Sequence, residues 1–159
     1  MTIRAELESN LIIRKLAAFD PASVVGAELF RDELTIEVQG GAIRRVAEFL
    51  CQDEELQFRY LADVTAVDRH PVEPRFEVNY HLYSLLLRQW LRVKARVGSE
   101  TPTLESVTPV WPGANWHERE TFDLFGIRFA GHPDLRRILM PEDWQGHPLR
   151  RDYPTEGFR

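Results

Sequence analysis

Cysteine is almost missing from this chain: Cys51 stands alone. An intramolecular disulfide is therefore impossible, and a secreted disulfide scaffold is excluded. An iron–sulfur cluster normally takes four thiolates, so this chain cannot hold one by itself. Lysine is scarce as well, since all of the basic residues except Lys15 and Lys94 are arginine. The arginine fork suits paired carboxylates and protein interfaces, although GC-rich coding gives the same bias. No apolar run approaches the roughly 18–20 residues of a membrane span. The start, Met1 to Glu6, lacks the basic-then-apolar plan of a signal peptide, so a soluble cytoplasmic chain is expected. An excess of positive charge is also lacking. The net charge is −5, with thirteen acids against eight bases up to residue 70 and an even balance afterwards. Neither half offers the basic field that non-specific nucleic-acid binding needs.

What is present is a globular balance of 43% apolar and 28% charged residues over 159 positions, enough for one domain with a real core. Apolar spacing over residues 3–18 predicts a helix that ends at Asp20-Pro21. Val24–Phe30 and Leu34–Val38, joined by Arg31-Asp32-Glu33, read as a β-hairpin. After Gly40-Gly41, the residues Ile43, Val46, Ala47, Leu50 and Cys51 mark the buried side of an amphipathic helix. Cys51 on that stripe reads as a small core residue rather than a reactive thiol. Strands are expected over 58–67, 76–82 and 91–97, the last two forming an antiparallel hairpin and the last carrying a basic outer face. Thr101-Pro102 suggests a short helix reaching to about Thr108. Asn115, with Glu118 three residues on, suggests a capped helix over Trp116–Phe125 that Gly126 ends.

The fold class read from this order is α+β: a mostly antiparallel sheet with helices on one face, over residues 1–126. Residues 127–159 form an extended, proline-punctuated C-terminal tail. Prolines at 133, 141, 148 and 154 forbid long helices and central strands there. The tail is nevertheless rich in large apolar groups, among them Phe129, Leu135, Trp144 and Tyr153, so it is no free linker. It must lie on its own domain or on a neighbour.

Candidate chemistry is sparse. Glu118, Glu120 and Asp123 sit beside His117 and Arg119, and an enzyme would use such acids as general acid and base. Helix-start acids paired with arginine, or an interface, explain them more simply. The run His117-Glu118-Arg119-Glu120-Thr121 lacks the second histidine of a zinc helix, and no phosphate-binding loop is present. Arg136-Arg137 and Arg150-Arg151 could bind phosphate, but nearby acids such as Asp134 and Asp152 favour salt-bridge anchoring of the tail.

The run Asn115-Trp116-His117-Glu118-Arg119-Glu120-Thr121-Phe122-Asp123-Leu124-Phe125-Gly126-Ile127 resembles the signature of the C subunit (30 kDa subunit) family of respiratory complex I, NADH-quinone oxidoreductase. So do His132–Leu139, Trp144–Pro154, Leu61–Asp68 and Arg75–Val78. The likeness covers residues 57–159; Leu124 stands where methionine is common. It implies a non-redox structural subunit of the peripheral (hydrophilic) arm of the proton-translocating complex. Such a subunit would be needed for assembly and for holding the cluster- and quinone-site subunits. It would have no catalytic activity alone and no cofactor of its own, FMN and iron–sulfur clusters belonging to partner subunits. The implied partners are D-, B- and I-type subunits, with the tail wrapping one of them. The implied place is the cytoplasmic face of the bacterial plasma membrane, reached only through the complex. Subunit-interface and tail-anchoring roles then fall to Glu118, Arg119, Glu120, Asp123, Arg136, Arg137, His147, Arg150, Arg151, Asp152 and Tyr153. Two alternatives stay open: the equivalent subunit of a membrane-bound hydrogenase or F420 dehydrogenase complex, and a stand-alone acid–base enzyme using Glu118, Glu120 and Asp123.

Overall fold

The computed structural model describes residues 2, 3, 7 and 9–156, the first two by their backbone alone. Thr2–Ile3 form strand β1 rather than the start of a helix, and residues 4–6 and 8 of the expected helix lie outside the described residues. Helix α1 covers only Leu11–Phe19. Its start is set by Asn10, whose side chain accepts from the Ile12 amide at 2.9 Å; an asparagine cap of this kind fixes a boundary that apolar spacing alone cannot place.

The hairpin of β2 (Val24–Phe30) and β3 (Glu33–Val38) forms as the alternation predicts, with Arg31 and Asp32 in the positive-φ turn. A short 3-10 turn, Gly40–Ala42, leads into α2 (Ile43–Gln52). Strands β4 (Tyr60–Asp68), β5 (Phe76–Ser84) and β6 (Gln89–Val97) follow as an antiparallel meander. The main sheet has the order β1-β2-β3-β6-β5-β4. It is antiparallel apart from β1 beside β2 and the central junction, where β3 runs parallel to β6 with Leu34 opposite Leu91.

Alternation divides the sheet into two faces. Leu34, Ile36, Val38, Leu91, Val93, Ala95, Val78 and Leu82 join Ile12 and Leu16 of α1 and Ile43, Val46 and Leu50 of α2 in one buried cluster. The intervening residues of β6, Arg92, Lys94 and Arg96, line the half-exposed side and meet Glu33, Glu37 and Glu77. Glu77 is itself buried, and Arg69 adds a further cation. Burial alone would raise the Glu77 carboxyl, but Lys94 and Arg69 outweigh it and hold it below its ordinary value.

Two expectations fail between residues 101 and 118. Thr103–Glu105 is not helical: it forms strand β7, parallel to β8 (Arg128–Ala130). The Arg128 amide reaches the Pro102 carbonyl and the Ser106 amide reaches the Ala130 carbonyl, each at 2.8 Å. Partners this distant in sequence override the local helix signal of Thr101-Pro102. Helix α3 runs over Ala114–Phe125 with Gly113 as its cap, so Asn115 is already inside it and no side chain caps it. Glu118 turns into the core instead of back to the helix start.

Helix α3 lies along the edge strand β4, where Thr121 Oγ1 donates to the Val64 carbonyl at 3.4 Å. It ends, as expected, at Gly126 in the left-handed conformation, φ 74°. A Cβ at Gly126 would stand 2.5 Å from both Arg150 Nη2 and the His147 ring. The glycine thus serves the helix end and the close approach of the tail together. Gly126→Ala is expected to lower stability by about 1–3 kcal/mol, the cost of a strained left-handed residue, read as a drop in the urea midpoint at unchanged slope.

Candidate functional site

Five of the sequence-predicted residues, Arg119, Asp123, Arg137, His147 and Arg150, meet where α3 joins the tail, and Asp123 is the hub. Its side chain is fully buried. Oδ2 accepts from the amides of Ile138, Leu139 and Met140 at 3.0, 2.8 and 2.8 Å. Oδ1 accepts from Arg137 Nη1 at 2.7 Å. Arg137 also donates to the carbonyls of Trp144 and Gly146, each at 3.0 Å, so one guanidinium ties three points of the chain. Burial by itself would raise the Asp123 carboxyl; the three amides and Arg137 prevail and hold it below its ordinary value.

Arg119 extends this junction. Its Nε and Nη2 donate to the carbonyls of Arg136 and Arg137 at 3.2 Å, and its guanidinium covers Trp116. Arg136 takes part only through its backbone, because its side chain pairs outward with Asp134. His147 Nδ1 lies 2.9 Å from the Asp123 carbonyl, which can only accept, so that nitrogen carries the proton. Burial outweighs that bond, which favours the charged ring, and with the charges of Arg150 and Arg137 it holds the His147 pKa below its ordinary value. Arg150 Nε donates to the Phe125 carbonyl at 2.6 Å, adding to the helix end that Gly126 forms.

A second ionic group, involving two residues given no role of their own in the sequence reading, receives the following turn of the tail. Asp68 ends β4 and Arg75 precedes β5, so the turn between these strands brings them together. Arg75 Nε and Nη2 grip Asp68 at 2.9 and 2.7 Å, and its Nη1 and Nη2 reach Asp152 at 3.0 and 2.6 Å. The Arg151 amide donates to Asp68 at 2.8 Å. Arg75 and Arg150 both lie over the Phe76 ring, at 4.9 and 5.2 Å from its centroid. Burial would raise Asp68, but Arg75 and the amides of Arg151 and His70 drive it well below the ordinary carboxylate range. The signal in the sequence was the opposite charge of residues 68 and 75 flanking a proline-rich turn. Tyr153 donates to the Gln145 carbonyl at 3.3 Å, a bond within the tail.

The three acids of the enzyme reading do not converge. Asp123 faces the tail. Glu120 is exposed and has no hydrogen-bond or ionic partner among the described residues. Glu118 is fully buried and accepts from Ser106 Oγ and the Val107 amide, each at 2.7 Å. Burial, opposed by those two bonds, pushes the Glu118 carboxyl up to about 7. Among the described residues no cluster of three or more His, Cys, Asp or Glu side chains could hold a metal. No helix among them is long and apolar enough to cross a membrane.

The family model described as respiratory-chain NADH dehydrogenase, 30 Kd subunit, matches residues 36–159. The chain belongs to this family. Relatives in it share nearly the whole length. The C subunit of an NADH-quinone oxidoreductase from Roseiflexus sp. (strain RS-1) is 49% identical, over 93% of this chain and 85% of the relative. The corresponding NADH-quinone oxidoreductase C subunit of Geotalea uraniireducens (strain Rf4) is 46% identical, over 94% and 90%. Among solved structures, a trypsin-resistant fragment of Nqo5 is similar with a TM-score of 0.63 and 32% identity, over 77% of this chain and 97% of that one. A chain of an archaeal membrane-bound sulfane sulfur reductase shares the fold, with a TM-score of 0.77 at 24% identity, over 91% and 84%.

Two tests address the junction. Asp123→Asn keeps the shape but leaves Arg137 without its counter-charge, and breaking such a buried pair costs about 3 kcal/mol. The amides of Ile138, Leu139 and Met140 should then exchange with deuterium much faster, while those of β5 and β6 stay protected. Glu118 gives the opposite dependence on pH. Its folded pKa of about 7 lies above its ordinary 4.5, so the folded state binds the proton more tightly. That contribution is complete below pH 4.5 and is lost as pH rises to about 7, a span of up to about 3 kcal/mol. Urea unfolding across that window should show the slope in the native chain and a flatter profile in Glu118→Gln.

Proposed function

We propose that this chain is the non-redox structural subunit of the peripheral arm of a proton-pumping NADH-quinone oxidoreductase. In this reading it is needed for assembly and for holding the cluster- and quinone-site subunits. The observation that carries the reading is the family match, which spans both the meander and the whole helix–tail junction. Residues 127–159 would wrap a partner, with the D-type subunit and the B- and I-type subunits as its neighbours. FMN and iron–sulfur clusters would reside in those partners, and a chain with Cys51 as its lone cysteine suits that division. The complex would place this chain on the cytoplasmic face of the bacterial plasma membrane.

The character of the junction supports a wrapping role. Its polar groups are largely spent on each other, with Arg137, Arg119 and Asp123 turned inward. Its large apolar groups are turned outward. Trp116, Leu139, Trp144 and Leu149 are 63%, 57%, 41% and 52% exposed. Aromatic and aliphatic groups left in water around a rigid ionic frame are the composition of an unfilled interface. The ion pairs would hold the tail in shape before the partner arrives, which lowers the ordering cost of binding.

A tagged chain recovered from gently solubilised membranes should bring down D-, B- and I-type subunits together with NADH-dependent quinone reduction. The isolated chain should turn nothing over. Trp144→Asp with Leu149→Asp should cut recovery of the partners without unfolding the chain, as judged by far-UV circular dichroism. Recovery of the chain alone, or turnover by the isolated chain, would overturn the reading.

A further inference from the structure

Glu118 stands apart from the helix–tail network. It is fully buried, and its carboxyl forms no salt bridge among the described residues. What meets it is a short chain of hydroxyls. Oε2 lies 2.7 Å from Ser106 Oγ, Ser106 Oγ lies 2.8 Å from Thr108 Oγ1, and Thr108 is half-buried at the surface. The Val107 amide occupies Oε1 at 2.7 Å.

This arrangement satisfies the carboxyl in either protonation state. With Glu118 ionised, Thr108 donates to Ser106 and Ser106 donates to Oε2, while the Thr108 amide, 3.2 Å away, fills the remaining lone pair on Ser106. With Glu118 neutral, Oε2–H donates to Ser106, Ser106 donates to Thr108, and both amide contacts remain. The hydroxyl hydrogens rotate and no heavy atom has to move.

The other sides are closed. From β5, Tyr80 is the titratable group that faces Glu118, and its buried hydroxyl has no hydrogen-bond partner. Burial, and then the charge of Glu118, hold the Tyr80 proton in place, so it passes none onward. On β4, the Val64 carbonyl is taken by Thr121. Helix α2 sets buried Ile43, Ala47 and Leu50 beside Tyr80, not beside a further polar group. On α3 itself, Arg119 and Asp123 are engaged with the tail. Thr108 is the polar exit.

We propose that Glu118, Ser106 and Thr108 form a proton-exchange site, through which the buried carboxyl takes up one proton from solvent and returns it. In uptake, a hydronium ion gives its proton to Thr108 Oγ1 as the Thr108 hydroxyl proton passes to Ser106 Oγ and the Ser106 proton passes to Glu118 Oε2. Each hydroxyl breaks one O–H bond and forms one, the carboxylate gains one proton, and the hydronium becomes water. Release is the reverse. The burial that lifts the carboxyl to about 7 populates both states near neutrality.

Infrared difference spectra of the full chain, between acidic and mildly alkaline pH, should show a protonated-carboxyl C=O band that fades with a midpoint near pH 7. Glu118→Gln, which keeps the shape and both hydrogen bonds, should remove that band. Thr108→Val, a change at the surface, should keep the band but slow its shift on transfer to heavy water severalfold. Absence of the band in the native chain, or its persistence in Glu118→Gln, overturns the site. Unchanged heavy-water kinetics in Thr108→Val overturns the relay.

Discussion

A carboxylate without water must have its lone pairs taken by protein donors, and at Asp123 those donors come from the tail. This one requirement organises the C-terminal third of the chain. Helix α3 can bury Asp123 only if residues 137–140 fold back across it. Arg137, brought in as the counter-charge, then fixes the carbonyls of Trp144 and Gly146. That placement carries His147 and Arg150 up to Gly126, where no side chain could fit. The next turn sets Asp152 on Arg75, which Asp68 already holds. A segment with almost no regular secondary structure is thus as specified as a strand, through side-chain bonds to backbone in place of a ladder.

The fold was legible where periodicity reports burial. Leu34, Ile36 and Val38 alternate because one face of β3 is core, and Ile43, Val46, Ala47 and Leu50 repeat because one side of α2 is. The α+β class, the hairpin and the meander follow from such patterns. Errors fall where distant pairing or a polar side chain decides. Nothing near Thr103 announces Arg128 as its neighbour. Asn115 reads as a cap yet lies inside its helix, while Asn10, in the middle of the helix expected over residues 3–18, is the residue that caps one. Glu118 looked like a surface acid of the first helical turn because the hydroxyls that solvate it come from the preceding link.

Charge composition singles out Asp123 and the paired arginines of the tail but gives none of their connections. The arginine pairs of the tail are each split: Arg137 turns inward while Arg136 turns out, and Arg150 reaches the helix end while the Arg151 amide serves Asp68. The acids of α3 are split as well, into one ionised by its donors, one exposed and one lifted toward neutrality by burial. Neighbours three residues apart share a helix face, but a face can border solvent, core and tail within a single turn.

The parallel junction of β3 with β6 has a consequence for how the molecule comes together in time. The hairpin and α2 are made of local contacts and can form early, but their apolar face is completed by strands that come much later in the chain. The meander β4–β5–β6 must exist first, and β6 is its last strand. Contacts of such wide sequence separation slow folding, because loop closure precedes the burial that rewards it. On a ribosome, the N-terminal third would therefore wait, half-assembled and with its greasy side open, until residue 97 had emerged. That waiting species, rather than the finished domain, is where a chaperone or an aggregation-prone encounter would find its opportunity.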